Sequence, residues 1–163
     1  MKFSIESEHA NQLLAWHATV VELLVALRNS AKNNKDEERR SLLVRLSALI
    51  EQGRFYFPNI DPDGYGAEKP PAYRGYRNIA LDFLVASYNL HHKTYTERIE
   101  KQAVYLQKLF TSVVFEVVRP AERLVKIHNL ADHYFVKDLS VENLEEQEQI
   151  DAISHMWDRP RLR

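Results

Sequence analysis

The chain has no cysteine, and its 163 residues include only four glycines, six prolines and two methionines. Without cysteine there is no disulfide, no thiolate nucleophile and no Cys-based zinc or iron–sulfur centre. A reducing, cytoplasmic setting is expected. Net charge is scarce too: 22 Lys and Arg against 23 Asp and Glu leave a formal −1. A balance that close argues against a nucleic-acid-binding surface spread over the molecule.

Long hydrophobic runs are also missing. The most apolar window, 13–27, is 15 residues long and includes His17 and Glu22, whereas a bilayer crossing needs about 20 apolar residues. The expectation is a core helix, with membrane insertion disfavoured. The acidic opening, Met1 to Glu8, does not read as a secretory signal, whose order is basic and then apolar.

The few glycines and prolines are not scattered. Gly53, Gly64, Gly66 and Gly75, with Pro58, Pro62, Pro70 and Pro71, all fall within 53–77. Turns are therefore confined to one place, and the remainder is expected to be helical. A first helix is predicted from a cap at Ser4 or Ser7 to about Asn29 or Ser30, with Leu13, Trp16, Val20, Leu23, Leu24 and Leu27 on its inner face. Asn34 followed by Glu37 predicts the start of a second helix carrying Leu42, Leu43, Leu46, Leu49 and Ile50, fraying at Gly53 and ending by Pro58. Ile79, Phe83, Ala86 and Leu90 mark a third. Thr94 and Glu97 fit a capping box for a fourth, and the row Ile99, Ala103, Leu106, Phe110, Val113 and Val117 keeps four-three spacing throughout.

Pro120 removes a backbone donor inside that last register, so a kink is expected there. Residues 140–154 are expected to form a short acidic helix in a mobile tail. The fold class is thus all-α: an up-and-down antiparallel bundle of four long helices, with a long Gly/Pro/aromatic loop between helices two and three. Residues 1–135 form the bundle domain and 136–163 the acidic C-terminal tail.

Within the loop, Arg54, Lys69, Arg74 and Arg77 are interleaved with aromatic residues, a combination suited to protein hot spots or to holding phosphate. The predicted binding residues are Arg54, Tyr56, Tyr65, Tyr73, Arg74, Tyr76 and Arg77. The structural alternative is snorkelling over the core with salt bridges to Asp61, Asp63, Glu68 and Asp82. Asn59, Asp61 and Asp63, with Gly64 at the sixth position, match the first half of a calcium loop, but Pro70 stands where the closing glutamate belongs. Their alternative role is in Asx-type turns. Pro70-Pro71-Ala72-Tyr73 resembles a PPxY ligand of WW domains, which would require an extended, accessible chain.

Outside the loop, Arg123-x4-His128 resembles the Arg-x4-His motif of HEPN-type ribonucleases, which are helical bundles and often dimers; Leu124 stands where they usually have a polar residue. The resemblance implies metal-independent RNA cleavage, with His128 as acid or base and Arg123 stabilising phosphate charge. No cofactor is expected. The leading expectation is a small cytoplasmic helical interaction or regulatory protein that uses the 53–77 loop as its contact surface and partners with another protein or with itself, as a homodimer. The alternatives are the ribonuclease and a peripheral membrane protein attached through helix one.

Overall fold

The computed structural model describes residues 2–118, with side chains from Glu8 onward. Among the described residues the protein is all-α, built from α1 (Lys2–Lys32), α2 (Asp36–Gly53), α3 (Ile79–Leu90) and α4 (Glu97–Val118), with no strand. The expected kink at Pro120, the 140–154 helix, the acidic tail, and Arg123 with His128 lie outside the described residues.

Each helix buries the stripe its spacing dictates. On α1, Leu13, Trp16, Val20, Leu23, Leu24 and Leu27 are buried, while Leu14 and Val25 are exposed. Leu42, Leu43, Leu46 and Ile50 are the buried positions of α2, and Ala103, Leu106, Phe110 and Val113 are buried along α4. α3 is the most enclosed: Ile79, Ala80, Leu81, Phe83, Leu84, Ala86 and Leu90 are all buried. α1 packs beside α2 and α4, and α3 beside α4 and α2, so the apolar stripes converge on one core.

The helix ends differ from expectation in instructive ways. α1 begins at Lys2, so Ser4 and Ser7 lie within it rather than before it. Asn34 does not open α2. It adopts φ 54°, its amide donates to the Ala31 carbonyl at 3.3 Å, and Lys35 N–H donates to Ser30 O at 2.9 Å. Asparagine tolerates the left-handed region, so it closes α1 and turns the chain into α2. Before α4, Thr96 Oγ1 accepts from the Ile99 amide at 3.1 Å; the capping residue is therefore Thr96, two residues beyond the Thr94 of the expected box. Asn78 caps α3, its Oδ1 accepting from Ala80 N–H at 3.0 Å.

Candidate functional site

The segment between α2 and α3 is long for a helix connection, yet its backbone is tied down. Ile60 and Tyr76 exchange amide–carbonyl bonds at 2.8 and 2.7 Å, an isolated antiparallel bridge, and Gly75 N–H donates to Tyr65 O at 2.7 Å. Gly75 has φ +77°, and a Cβ there would collide with the Ile60 carbonyl oxygen. Only glycine lets the two strands of the loop approach this closely. Asn59 Nδ2 reinforces the crossing by donating to Arg74 O at 2.9 Å.

The aromatic triplet after α2 anchors the loop to the core. Phe57 is buried 6.0 Å from Trp16 between ring centroids, and half-buried Tyr56 lies 5.5 Å from the same ring and 5.6 Å from His9. Phe55 points the other way and is 84% exposed. Beyond the bridge, Tyr65 and Tyr76 stack at 4.8 Å with planes 12° apart. Lys69 Nζ sits 4.8 Å from the Tyr65 centroid.

A second group forms where the loop passes α2. Tyr73 Oη donates to Glu51 Oε2 at 2.6 Å, Arg54 Nε donates to both Glu51 oxygens at 3.2 Å, and the Arg54 guanidinium lies 4.4 Å from the Tyr73 centroid. The Tyr73 hydroxyl, and then Arg54, hold the Glu51 carboxyl below the usual carboxylate range, while the same bond pushes the Tyr73 phenol up. Glu51 is therefore ionised at neutral pH, with three hydrogen bonds to its two oxygens. These residues line an open cleft of about 480 Å3, whose walls include Phe55, Pro58, Pro62 and Pro71 and whose polar members include Asn59 and Arg74.

Of the seven predicted binding residues, Arg54, Tyr73 and Arg74 meet at this cleft. Tyr65 and Tyr76 form the separate stack, Tyr56 turns toward Trp16, and Arg77 pairs with Asp82 at 3.1 Å beside the start of α3. Arg77–Asp82 is one of the expected salt bridges, whereas Arg54 takes Glu51. Glu51 and Phe55 were missed as site residues; the i,i+3 spacing of Glu51 and Arg54 was the signal available for the first.

The half calcium motif is occupied with its own turn. Asn59 Oδ1 accepts from Arg54 Nη1 at 3.4 Å, Asp61 has φ 54°, and the Gly64 amide donates to Asp61 O at 3.3 Å. Among the described residues no three of His, Cys, Asp and Glu come together as metal ligands. The PPxY motif is folded as well: Pro71–Tyr73 is a single 3-10 turn, with the tyrosine hydroxyl on Glu51, rather than an extended ligand strand. Comparison with family models, curated proteins and solved structures gives no match.

Proposed function

We propose that this protein is a cytoplasmic helical interaction module, an up-and-down four-helix scaffold that presents the 53–77 loop as its contact surface. The observation that carries the reading is a loop with a fixed backbone and outward rings. Phe55 is 84% exposed, and Tyr65, Tyr73 and Tyr76 are 50, 43 and 39% exposed, above the hydrogen-bonded bridge and turns. Aromatic and arginine side chains dominate protein hot spots, and a backbone already ordered loses less entropy on binding. Protein contact suits a near-neutral aromatic surface better than phosphate or nucleic acid does. A second copy of the chain is one such partner, because exposed apolar residues also occur at Leu14 and Val25 on α1.

The test is photo-crosslinking in the native host, with a benzophenone amino acid placed at position 55, 65 or 73 of the full chain. Position 44, an exposed valine on α2, is the control. Discrete adducts from the loop positions alone are expected, a band of twice the chain's mass signifying self-association. Equal labelling from position 44, or no loop adducts, would overturn the reading.

Peripheral membrane attachment is the second reading, favoured by α1: Glu8–Lys32 is long and apolar enough by length and composition to cross a membrane, with 33% of its most apolar window buried. Core helices satisfy the same criterion. Flotation with neutral liposomes separates the two, co-migration of the protein with lipid favouring the membrane.

A further inference from the structure

The cleft beside Tyr73 has a chemistry of its own, which deepens the contact-surface reading and rests on it. Its charged lining residues are Glu51, Arg54 and Arg74, a net positive set. Glu51 already accepts from Tyr73 and twice from Arg54, so part of its acceptor capacity is taken up within the protein.

Arg74 is in the opposite condition, and Arg54 in part. Arg54 is oriented by its bonds to Glu51 and Asn59, and Arg74 by a 2.9 Å bond from Nε to the Lys69 carbonyl. A guanidinium has five N–H donors. Both forks are therefore fixed at one end, while Arg54 Nη2 and both terminal nitrogens of Arg74 have no protein partner among the described residues. Arg74, held through Nε alone, keeps both terminal nitrogens for an oxyanion such as a carboxylate, whereas Arg54, with Nη1 on Asn59, offers Nη2.

The remaining wall is apolar and stiff. Pro58, Pro62 and Pro71 supply ring faces, and Phe55 stands at the rim. The volume of about 480 Å3 lies in the roughly 300–1,000 Å3 range of ligand clefts. The cleft is open and lies between the end of α2 and the loop, so it admits a side chain carried on another polypeptide.

We propose that the cleft docks a short acidic segment of a partner protein: an aromatic side chain packs among the three prolines, and a neighbouring Asp or Glu carboxylate is held by Arg54 and Arg74. Charge complementarity selects this occupant, because Glu51 and Arg54 pair with each other and Arg74 leaves the described lining with one net positive charge. A lysine-rich segment would meet those guanidinium groups and be repelled.

The experiment is an amide NMR titration of the full-length chain with three capped hexapeptides: Gly-Asp-Phe-Asp-Gly-Ser, the same peptide with both Asp replaced by Lys, and the same peptide with Phe replaced by Ala. Saturable shifts confined to residues near Arg54, Asn59 and Arg74 are expected with the first peptide, and at least tenfold weaker binding with the other two. Arg74→Gln should weaken the first peptide about tenfold, the loss typical of removing a charge-assisted hydrogen bond, and should leave the remaining amide spectrum in place. No saturable shift up to millimolar peptide, equal binding of the lysine peptide, or unchanged affinity in Arg74→Gln would each overturn the proposal. Crosslinks from position 55 without peptide binding would refute the acidic ligand and leave the contact surface standing. Absence of both would refute the two together.

Discussion

A methyl group added at Gly53 separates two explanations for the end of α2. If glycine is there only to let the helix fray, Gly53→Ala should stabilise the protein by about 0.5–1 kcal/mol through helix propensity. The structure predicts the opposite sign. The new Cβ would stand 2.6 Å from Trp16 Cζ2 and 2.6 Å from Leu81 Cδ2, where carbon atoms prefer about 3.5–4.0 Å. Neither neighbour has room to withdraw. Trp16 is 4% exposed, its Nε1–H donates to the Leu49 carbonyl at 3.0 Å, and its ring meets Tyr56, Phe57 and Phe110. Leu81 is fully buried. Overpacking of this kind costs about 1–3 kcal/mol, and two simultaneous overlaps place it in the upper half of that range. Less the propensity gain, the net loss is about 1–2.5 kcal/mol, or about 2–10 °C in melting temperature for a chain of this size. Urea and thermal unfolding followed by circular dichroism measure it, and a midpoint unchanged or raised would refute the packing account. The double variant with Leu81→Ala provides a second check: the alanine at 53 should cost about 1 kcal/mol less in that background, and additivity within about 0.5 kcal/mol would show that no overlap exists.

Stability should also depend on pH through two opposing groups. Burial pushes the Asp82 carboxyl up to about 6 despite Arg77 beside it; the folded state then holds a proton that the unfolded chain releases, so this term falls as pH rises from about 4 to 6. Burial lowers the His91 pKa, with the Ser87 carbonyl opposing and Arg28, Arg39 and His92 adding to the shift; its contribution is present above the ordinary histidine value and is lost as pH falls through and below it. Unfolding free energies between pH 4 and 7 should therefore tilt in opposite directions in Asp82→Asn and His91→Asn relative to the parent chain, and parallel curves would count against both assignments. Gly75→Ala should open the Ile60–Tyr76 crossing at a local cost of about 1–3 kcal/mol. Hydrogen exchange at the Ile60 and Tyr76 amides should accelerate while α3 and α4 amides keep their protection; unchanged exchange at Ile60 would contradict the close approach.

The helices were legible because burial imposes a period, and α4 is the clearest case: Ala103, Leu106, Phe110 and Val113 point inward as their four-three spacing requires. The helix ends were less so, since one residue type serves several geometries. Asn34 suits an N-cap and a left-handed turn equally, and the backbone chose the turn. Thr94 and Thr96 both offer a hydroxyl, and the choice of Thr96 goes with Tyr95, whose hydroxyl bonds Glu100 on the first turn of α4. Composition located the loop but could not sort its rings. Phe55, Tyr56 and Phe57 are consecutive and chemically alike, yet they end exposed, half-buried and buried. That order depends on the direction in which the chain leaves α2, just beyond Gly53, where there is no room for a Cβ beside Trp16. Glu51 was hard to single out because its partner Tyr73 is 22 positions away.

The cleft, rather than the helix, accounts for a glutamate at position 51. Glu51 occupies the last turn of α2, which has no basic residue to answer the negative end of the helix dipole. A carboxylate there is locally unfavourable, by about 0.3–1 kcal/mol. The penalty is offset from outside the helix, by Arg54 just beyond its end and by Tyr73 from the far side of the loop. A choice that the helix dipole disfavours is thus offset by contacts that the helix alone does not supply. The consequence is mechanical as well as electrostatic. Because Glu51 belongs to α2 and holds both Arg54 and Tyr73, that wall of the cleft is tied to a helix, whereas Arg74 is tied within the loop, through Nε to the Lys69 carbonyl.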